Sequence, residues 1–206
     1  MNREEKNLRT KQKIIDSAIV EFGKKSFGEA SLNAVCKSGN ISKGIIYHYF
    51  KDKDALYLAC VKESYDALTK FLESDEYDFR DFKKGISTYF LKRYEFFERY
   101  PHYSQIFFSS VMQKPLHLVG EIRELRRDFD EQGIRYYRAV LEHITLRDEV
   151  SEGEAIEYFS IVQEMFNGYF QTKSYEISDF NALIIDHEKK LSKLLGMMIF
   201  GIGREQ

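Results

Sequence analysis

Apolar residues recur at steps of three and four along most of the chain, a spacing that suits helices and little else. Ile14, Ile15, Ala18, Ile19 and Phe22 share one face of a first helix, while Lys11, Lys13, Asp16 and Lys24 fall elsewhere on its wheel. Helix breakers are scarce, with two prolines and twelve glycines in 206 residues. The expected fold class is all-α, with about nine helices.

The densest signal lies between residues 31 and 56. Ser31 suits the N-cap of a short second helix, "LNAVCKS", and the pair Gly39-Asn40 ends it, since both residues tolerate left-handed backbone. Ser42 caps a third helix of about seven residues and Asp52 a fourth, so helices two and three form a helix-turn-helix. On a wheel of about 100° per residue, Ile46 and Phe50 face the first helix, flanked by Ser42 and Tyr49. Gly44 and His48 lie opposite, flanked by Ile45 and Tyr47.

That outward face is small, polar-aromatic and flat. It reads either as cover for neighbouring helices or as a groove-reading surface. In the second reading Gly44 permits close approach, Tyr47 and His48 reach phosphates or base edges, and Ile45 meets a thymine methyl. Lys43, Lys51 and Lys53 would neutralise phosphates, and the N–H groups opening the fourth helix add an anion site. Charge is divided accordingly: residues 1–53 carry 11 Lys and Arg against 6 Asp and Glu, net +5, whereas residues 54–206 carry net −7.

The stretch "IIDSAIVEFGKKSFGEAS", a short helix and "ISKGIIYHYFKDKDAL" together resemble the N-terminal domain of TetR/AcrR-type transcriptional regulators. Ile41, Ser42, Lys43, Gly44, Ile46, Tyr47, Tyr49, Phe50, Lys51, Lys53 and Leu56 match the family's pattern. Asn40 stands in place of the usual turn glycine, Ile45 where a Thr or Ser is common, and Asn33 where the second helix often carries Arg. The resemblance implies a DNA-binding set of Ser31, Asn33, Ser42, Lys43, Gly44, Ile45, Tyr47, His48, Tyr49 and Lys53. It implies a helix-turn-helix domain over residues 1–53 and an effector-binding and dimerisation domain over 54–206.

The body carries further helices. Leu58, Val61, Tyr65, Leu68 and Leu72 extend the fourth to about residue 73, and Phe79, Phe82, Ile86, Tyr89, Phe90, Tyr94 and Phe97 mark a fifth, stopped before Pro101. "HYSQIFFSSVMQ", almost without charge, must be largely buried. Beyond Pro115 a long seventh helix runs from Leu118 to Ile144. Ten of the sixteen residues from 155 to 170 are apolar and cover most of the wheel, while Ile184, Leu191, Leu195, Met198 and Ile202 mark a final helix. Such a helix must bury two faces, and the resemblance implies a homodimer through the last two helices.

The resemblance also implies a small-molecule effector held among the body helices. Phe90, Tyr94, Phe97, Tyr103 and Phe107 are candidate ligand contacts, with Phe108, Met112, Tyr137, Phe166 and Tyr169; each also reads as plain core. They suit an apolar or aromatic ligand. "DHEKK" at 186–190 reads as a solvated helix face. No Gly-rich phosphate loop, HExxH or GxSxG occurs, and the five histidines never pair at i, i+4. We therefore expect no metal, no cofactor and no enzyme. The charged start "MNREEKNLRTKQK" and the ten-residue limit of the run "LLGMMIFGIG" point to a cytoplasmic protein without a membrane segment. The expected function is a ligand-responsive repressor on a palindromic operator; the alternative is an effector-independent architectural or division-site DNA-binding protein of the same fold.

Overall fold

A computed structural model describes residues 2–202, apart from the side chains of Phe82, Lys83, Phe200 and Ile202. The core positions expected of Phe82 and Ile202 thus lie outside the described residues. Among the described residues the chain forms nine α-helices, a 3₁₀ turn at Leu116–Leu118 and no β-strand. The helices are α1 (Arg3–Phe22), α2 (Leu32–Gly39), α3 (Lys43–Tyr49), α4 (Lys53–Glu73), α5 (Phe82–Arg99), α6 (Pro101–Met112), α7 (Val119–Leu141), α8 (Glu152–Ser174) and α9 (Phe180–Ile202). They divide into two compact units, residues 1–67 with 97–126 and residues 68–96 with 127–206.

In the first unit α1 opens on a reciprocal cap, in which Glu5 N–H donates to the Asn2 side chain and the Glu5 carboxylate accepts from Asn2 N–H. Ile14, Ile15, Ala18, Ile19 and Phe22 are buried, and α1 packs on α2 and α6. The α2–α3 turn differs from expectation in one respect. Only Asn40 is left-handed, at φ 48°, whereas Gly39 is still helical. A β-carbon on Gly39 would come within 2.4 Å of Ser17 Oγ on α1, so this glycine serves the α1–α2 approach and not the turn. Between α4 and α6, Tyr65 and Ser110 hydroxyls lie 2.9 Å apart and Ser64 Oγ donates to Tyr103 O at 2.9 Å. Pro101 occupies the first turn of α6, where its missing N–H costs no intrahelical bond.

In the second unit α5 starts later than its apolar spacing predicts. Asp81 ends the preceding loop by accepting from Lys84 N–H at 3.0 Å, and Phe79, buried, lies outside the helix. Likewise α7 stops at Leu141 and Ile144 sits in the following turn. The core gathers Phe79, Tyr137, Val140, Leu141, Ala155, Phe159, Met198 and Ile199. A second reciprocal cap, Ser151 with Glu154, fixes the start of α8.

Candidate functional site

The surface of α3 is built from local rules. Ser42 Oγ accepts from Ile45 N–H at 3.3 Å and sets the start of the helix; Ser31 Oγ accepts from Asn33 N–H at 3.2 Å and does the same for α2. Ile46, Phe50, Ile41 and Val35 are buried, and α2 packs on both α1 and α3. Ser42, Lys43, Gly44, Ile45, Tyr47 and His48 are exposed, Ile45 at 41% and Tyr47 at 48%. Apart from the adjoining residues and backbone of its own helix, no atom lies within 4 Å of a β-carbon built on Gly44, so the middle of this face is open. Lys43 Nζ stands 5.9 Å from the centre of the Tyr47 ring, and His48 meets Tyr49 edge-on at 5.0 Å.

Three members of the expected set are placed less simply. Asn33 is exposed on α2, but Ser31 is half-buried in its capping role. Tyr49 is half-buried and its hydroxyl donates to Asn7 Oδ1 at 3.0 Å, tying α3 to the first turns of α1. Lys53 Nζ lies 4.6 Å over the Phe27 ring and 3.4 Å from Gly28 O, and both hold it against the first unit. At the start of α4, Asp52 Oδ1 accepts from Ala55 N–H at 2.8 Å, so a carboxylate fills the anion position expected there.

The second unit holds a cavity of about 60 Å³. Phe79, Ile86, Tyr89, Phe90 and Arg93 line it from the α5 side; Phe129, Gly133, Tyr136, Tyr137 and Val140 from α7; Phe159 and Gln163 from α8; Leu191 and Leu195 from α9. Of the ten expected ligand contacts, Phe90 and Tyr137 are on this wall. Phe97, Phe107 and Phe108 form a ring cluster in the first unit, with centres 4.8–5.3 Å apart, and Tyr103 and Met112 belong to that unit too. Phe166 packs on Phe170 and His187, while Tyr94 and Tyr169 are exposed.

Charge enters this unit where apolar spacing hides it. Arg93, 4% exposed, donates from Nε and Nη2 to Glu188 Oε2 and Oε1 at 2.8 and 2.7 Å, a two-pronged pair. Burial alone would raise the Glu188 carboxyl, but the Arg93 charge and its hydrogen bonds, with those of His187, hold it well below the usual carboxylate range. His187 Nδ1 lies 3.2 Å from Glu188 Oε1 and its Nε2 3.2 Å from Asn167 Oδ1. The segment 186–190 is therefore no solvated face at His187 and Glu188. The missed signal is positional: Arg93 steps from Ile86, Tyr89 and Phe90 on one stripe, and His187 and Glu188 step between Ile184 and Leu191 on another.

On α8, Tyr158, Ile161, Met165 and Tyr169 form an exposed apolar row at helical spacing, Met165 at 69%. Gly168 interrupts the row with no atom within 4 Å of its β-carbon position. Ile185 and Met197 are exposed on α9. Among the described residues no group of three or more His, Cys, Asp or Glu could hold a metal, and no helix is long and apolar enough to cross a membrane.

Residues 14–60 match the family described as "Bacterial regulatory proteins, tetR family". The probable HTH-type transcriptional regulator YttP of Bacillus subtilis is 38% identical over 65 residues, 32% of this chain and 31% of that protein. IcaR of Staphylococcus aureus, a negative transcriptional regulator of the biofilm operon icaADBC, is 25% identical over 131 residues, 62% of this chain and 69% of its own length. The match spans about a third of the length of the first curated relatives. Among solved structures, the regulator FadR from Bacillus subtilis, crystallised with stearoyl-CoA, superposes with a TM-score of 0.61 at 15% identity, covering 93% of this chain and 98% of that one. That likeness concerns the fold. Residues 14–60 thus form a domain of the tetR family of bacterial regulatory proteins, and the all-α fold of the chain is shared with solved TetR-family regulators.

Proposed function

We propose that this regulator is a homodimeric, ligand-responsive repressor that leaves a pseudo-palindromic operator when a small apolar molecule binds its second unit. The observation that carries the DNA half is the open α3 face of Gly44, Ile45, Tyr47 and His48 on a buried base of Ile46 and Phe50. A helix held by its apolar side and offering small and polar-aromatic groups on the other suits a major groove. On this reading residues 1–53 bind DNA in the cytoplasm, with Ser31, Asn33, Ser42, Lys43, Tyr49 and Lys53 positioning or contacting the backbone. Residues 54–206 bind effector and partner, and no catalysis is required of them.

The exposed row on α8, with Ile185 and Met197 of α9, supports pairing of two copies, and a two-fold dimer implies two half-sites. The cavity supports the effector, because a ligand that favours one of two conformations shifts DNA affinity by its difference in affinity for them. IcaR is a negative regulator and FadR was crystallised with an acyl-CoA, which lends both ideas precedent. The test is footprinting on DNA flanking the protein's own gene, with and without a panel of hydrophobic compounds. Protection of one palindrome, lost with some compounds, is the expected result. Many dispersed sites with no release would favour the architectural reading.

A further inference from the structure

We propose that the side of the first three turns of α1 is a second DNA contact, in which Arg3, Lys6 and Lys13 hold phosphates of the duplex that α3 reads. This extends the DNA-binding reading above and rests on it. The buried part of α1 begins at Ile14, and residues 3–13 precede it as about 16 Å of helix, exposed except for a partly covered Thr10. The family match begins at Ile14 too, so these turns lie ahead of the residues it covers.

Three turns without a core beneath them are marginal in water, and two devices hold these. The reciprocal cap of Asn2 and Glu5 starts the helix, and Asn7 Oδ1 accepts from the Tyr49 hydroxyl at 3.0 Å. The helix end is thus occupied by its own carboxylate, and the proposed contact runs along the side.

Charge is sorted along that side. Residues 3–13 hold Arg3, Lys6, Arg9, Lys11 and Lys13 against Glu4 and Glu5, net +3. Residues 14–53, with the whole helix-turn-helix, carry 6 Lys and Arg against 4 Asp and Glu, only net +2. On a wheel of about 100° per residue, Arg3, Lys6 and Lys13 fall within about 80° of one another, and Glu4 and Glu5 lie outside that arc on either side. All three are exposed, and among the described residues none is ion-paired. Lys25 and Lys53 differ, being engaged by Glu21 and by the Phe27 ring.

Position makes DNA the partner. His48 of the reading face meets Tyr49 edge-on at 5.0 Å, and Tyr49 reaches Asn7, so the α3 surface continues into α1. Lys11 Nζ, 5.9 Å from the centre of the Phe50 ring, marks the same side, and Arg3 lies one turn beyond Asn7. A duplex seated on α3 passes its phosphates, one charge per about 1.7 Å of axis, beside these turns. Long cations outside the recognition pair suit phosphate, which fixes register and carries no sequence information.

The test combines Arg3→Gln, Lys6→Gln and Lys13→Gln in the full chain. Binding is followed by fluorescence anisotropy between about 50 and 200 mM salt, on the fragment protected in the footprint and on a mixed-sequence duplex of equal length. The slope of log affinity against log salt should become shallower by about 0.9 per charge removed, or about 2.7 for each protomer bound, on both duplexes. Preference for the protected fragment should stay within about twofold. Arg3→Lys with Lys6→Arg and Lys13→Arg should keep the parent slope, as should Lys70→Gln, which removes an exposed charge from α4. Circular dichroism checks that α1 stays helical; if it melts, the three single Gln variants are read, each expected to lower the slope by about 0.9. An unchanged slope in the Gln variants, an equal loss in Lys70→Gln, a loss in the charge-preserving variant, or a lost preference for the protected fragment would each overturn the second contact. Tyr47→Ala then still decides the α3 reading. A parent protein that binds neither duplex overturns both.

Discussion

The α3 surface and the α5–α9 cavity treat polar groups in opposite ways. On α3 the hydroxyls, imidazole and ammonium stay in water, over a base of Ile46 and Phe50. Around the cavity, Arg93, Glu188 and His187 are withdrawn from water and answered by one another. The first arrangement suits a large polyanion, whose affinity comes from many screened contacts and the release of counterions. The second suits a small molecule, for which one satisfied or unsatisfied hydrogen bond decides affinity. Substitutions should therefore divide cleanly, with those in the cavity unit felt as stability and those on α3 felt as DNA affinity alone.

The largest expected effect tests that division at its buried end. Arg93→Leu leaves Glu188 without its partner in a site where both side chains are at most 11% exposed, and should cost about 3–5 kcal/mol. Thermal unfolding should fall by roughly 10 °C for a chain of this length. Because the folded Glu188 carboxyl is held below its unfolded value, the pair stabilises fully above the unfolded pKa. That contribution fades as pH falls from about 4.5 toward the folded value near 2. Arg93→Leu should flatten the acid limb of a stability–pH profile over that window; an unchanged limb would show that the pair does not carry it.

Next comes the outer face of the same unit. Met165→Glu places a charge in the exposed row of α8 and should give monomers by sedimentation, with a dimer affinity lowered at least about 100-fold if the row is the contact. Leu195 makes a poor probe for this purpose, since it lines the cavity and a charge there would disturb folding. A dimer that persists in Met165→Glu moves the interface elsewhere.

On α3, Tyr47→Ala and His48→Ala should each weaken operator binding by about 10- to 100-fold, the range of one lost base or phosphate contact. Unfolding temperature should stay within about 1–2 °C, because both side chains are exposed. A drop in stability as large as that of Arg93→Leu would mean that these rings cover the core and do not read DNA.

This split follows how much of the molecule was legible in its sequence. The α2–α3 turn rests on bonds within a few residues: Ser31 to Asn33, Asn40 in the left-handed region, Ser42 to Ile45. Short-range chemistry of that kind is written in order along the chain. Helix spacing was equally plain, although it ran one loop too far at Phe79 and one turn too far at Ile144, because periodicity says nothing of where a cap such as Asp81 intervenes. The cavity wall depends on partners far apart. Arg93 and Glu188 are 95 residues distant, so Glu188 looked like one more charge on a wet helix. The aromatic contacts could not be sorted either: Phe90 and Phe97 share a stripe of α5, yet one lines the cavity and the other belongs to the first unit.

The smallest expected effect concerns a single buried hydroxyl in the second unit. Tyr137→Phe removes only a hydroxyl that is buried and unpartnered, and keeps the ring stacked on Phe159. If that hydroxyl served stability, its loss would cost about 1 kcal/mol. Since it costs desolvation and returns no hydrogen bond, the variant should be as stable as the parent or up to about 1 kcal/mol more so, read as a rise of a few degrees in unfolding temperature. A destabilised Tyr137→Phe would reveal a partner for the hydroxyl and place Tyr137 among the groups that hold the fold. A stabilised one would show that the buried hydroxyl is a net cost to the fold.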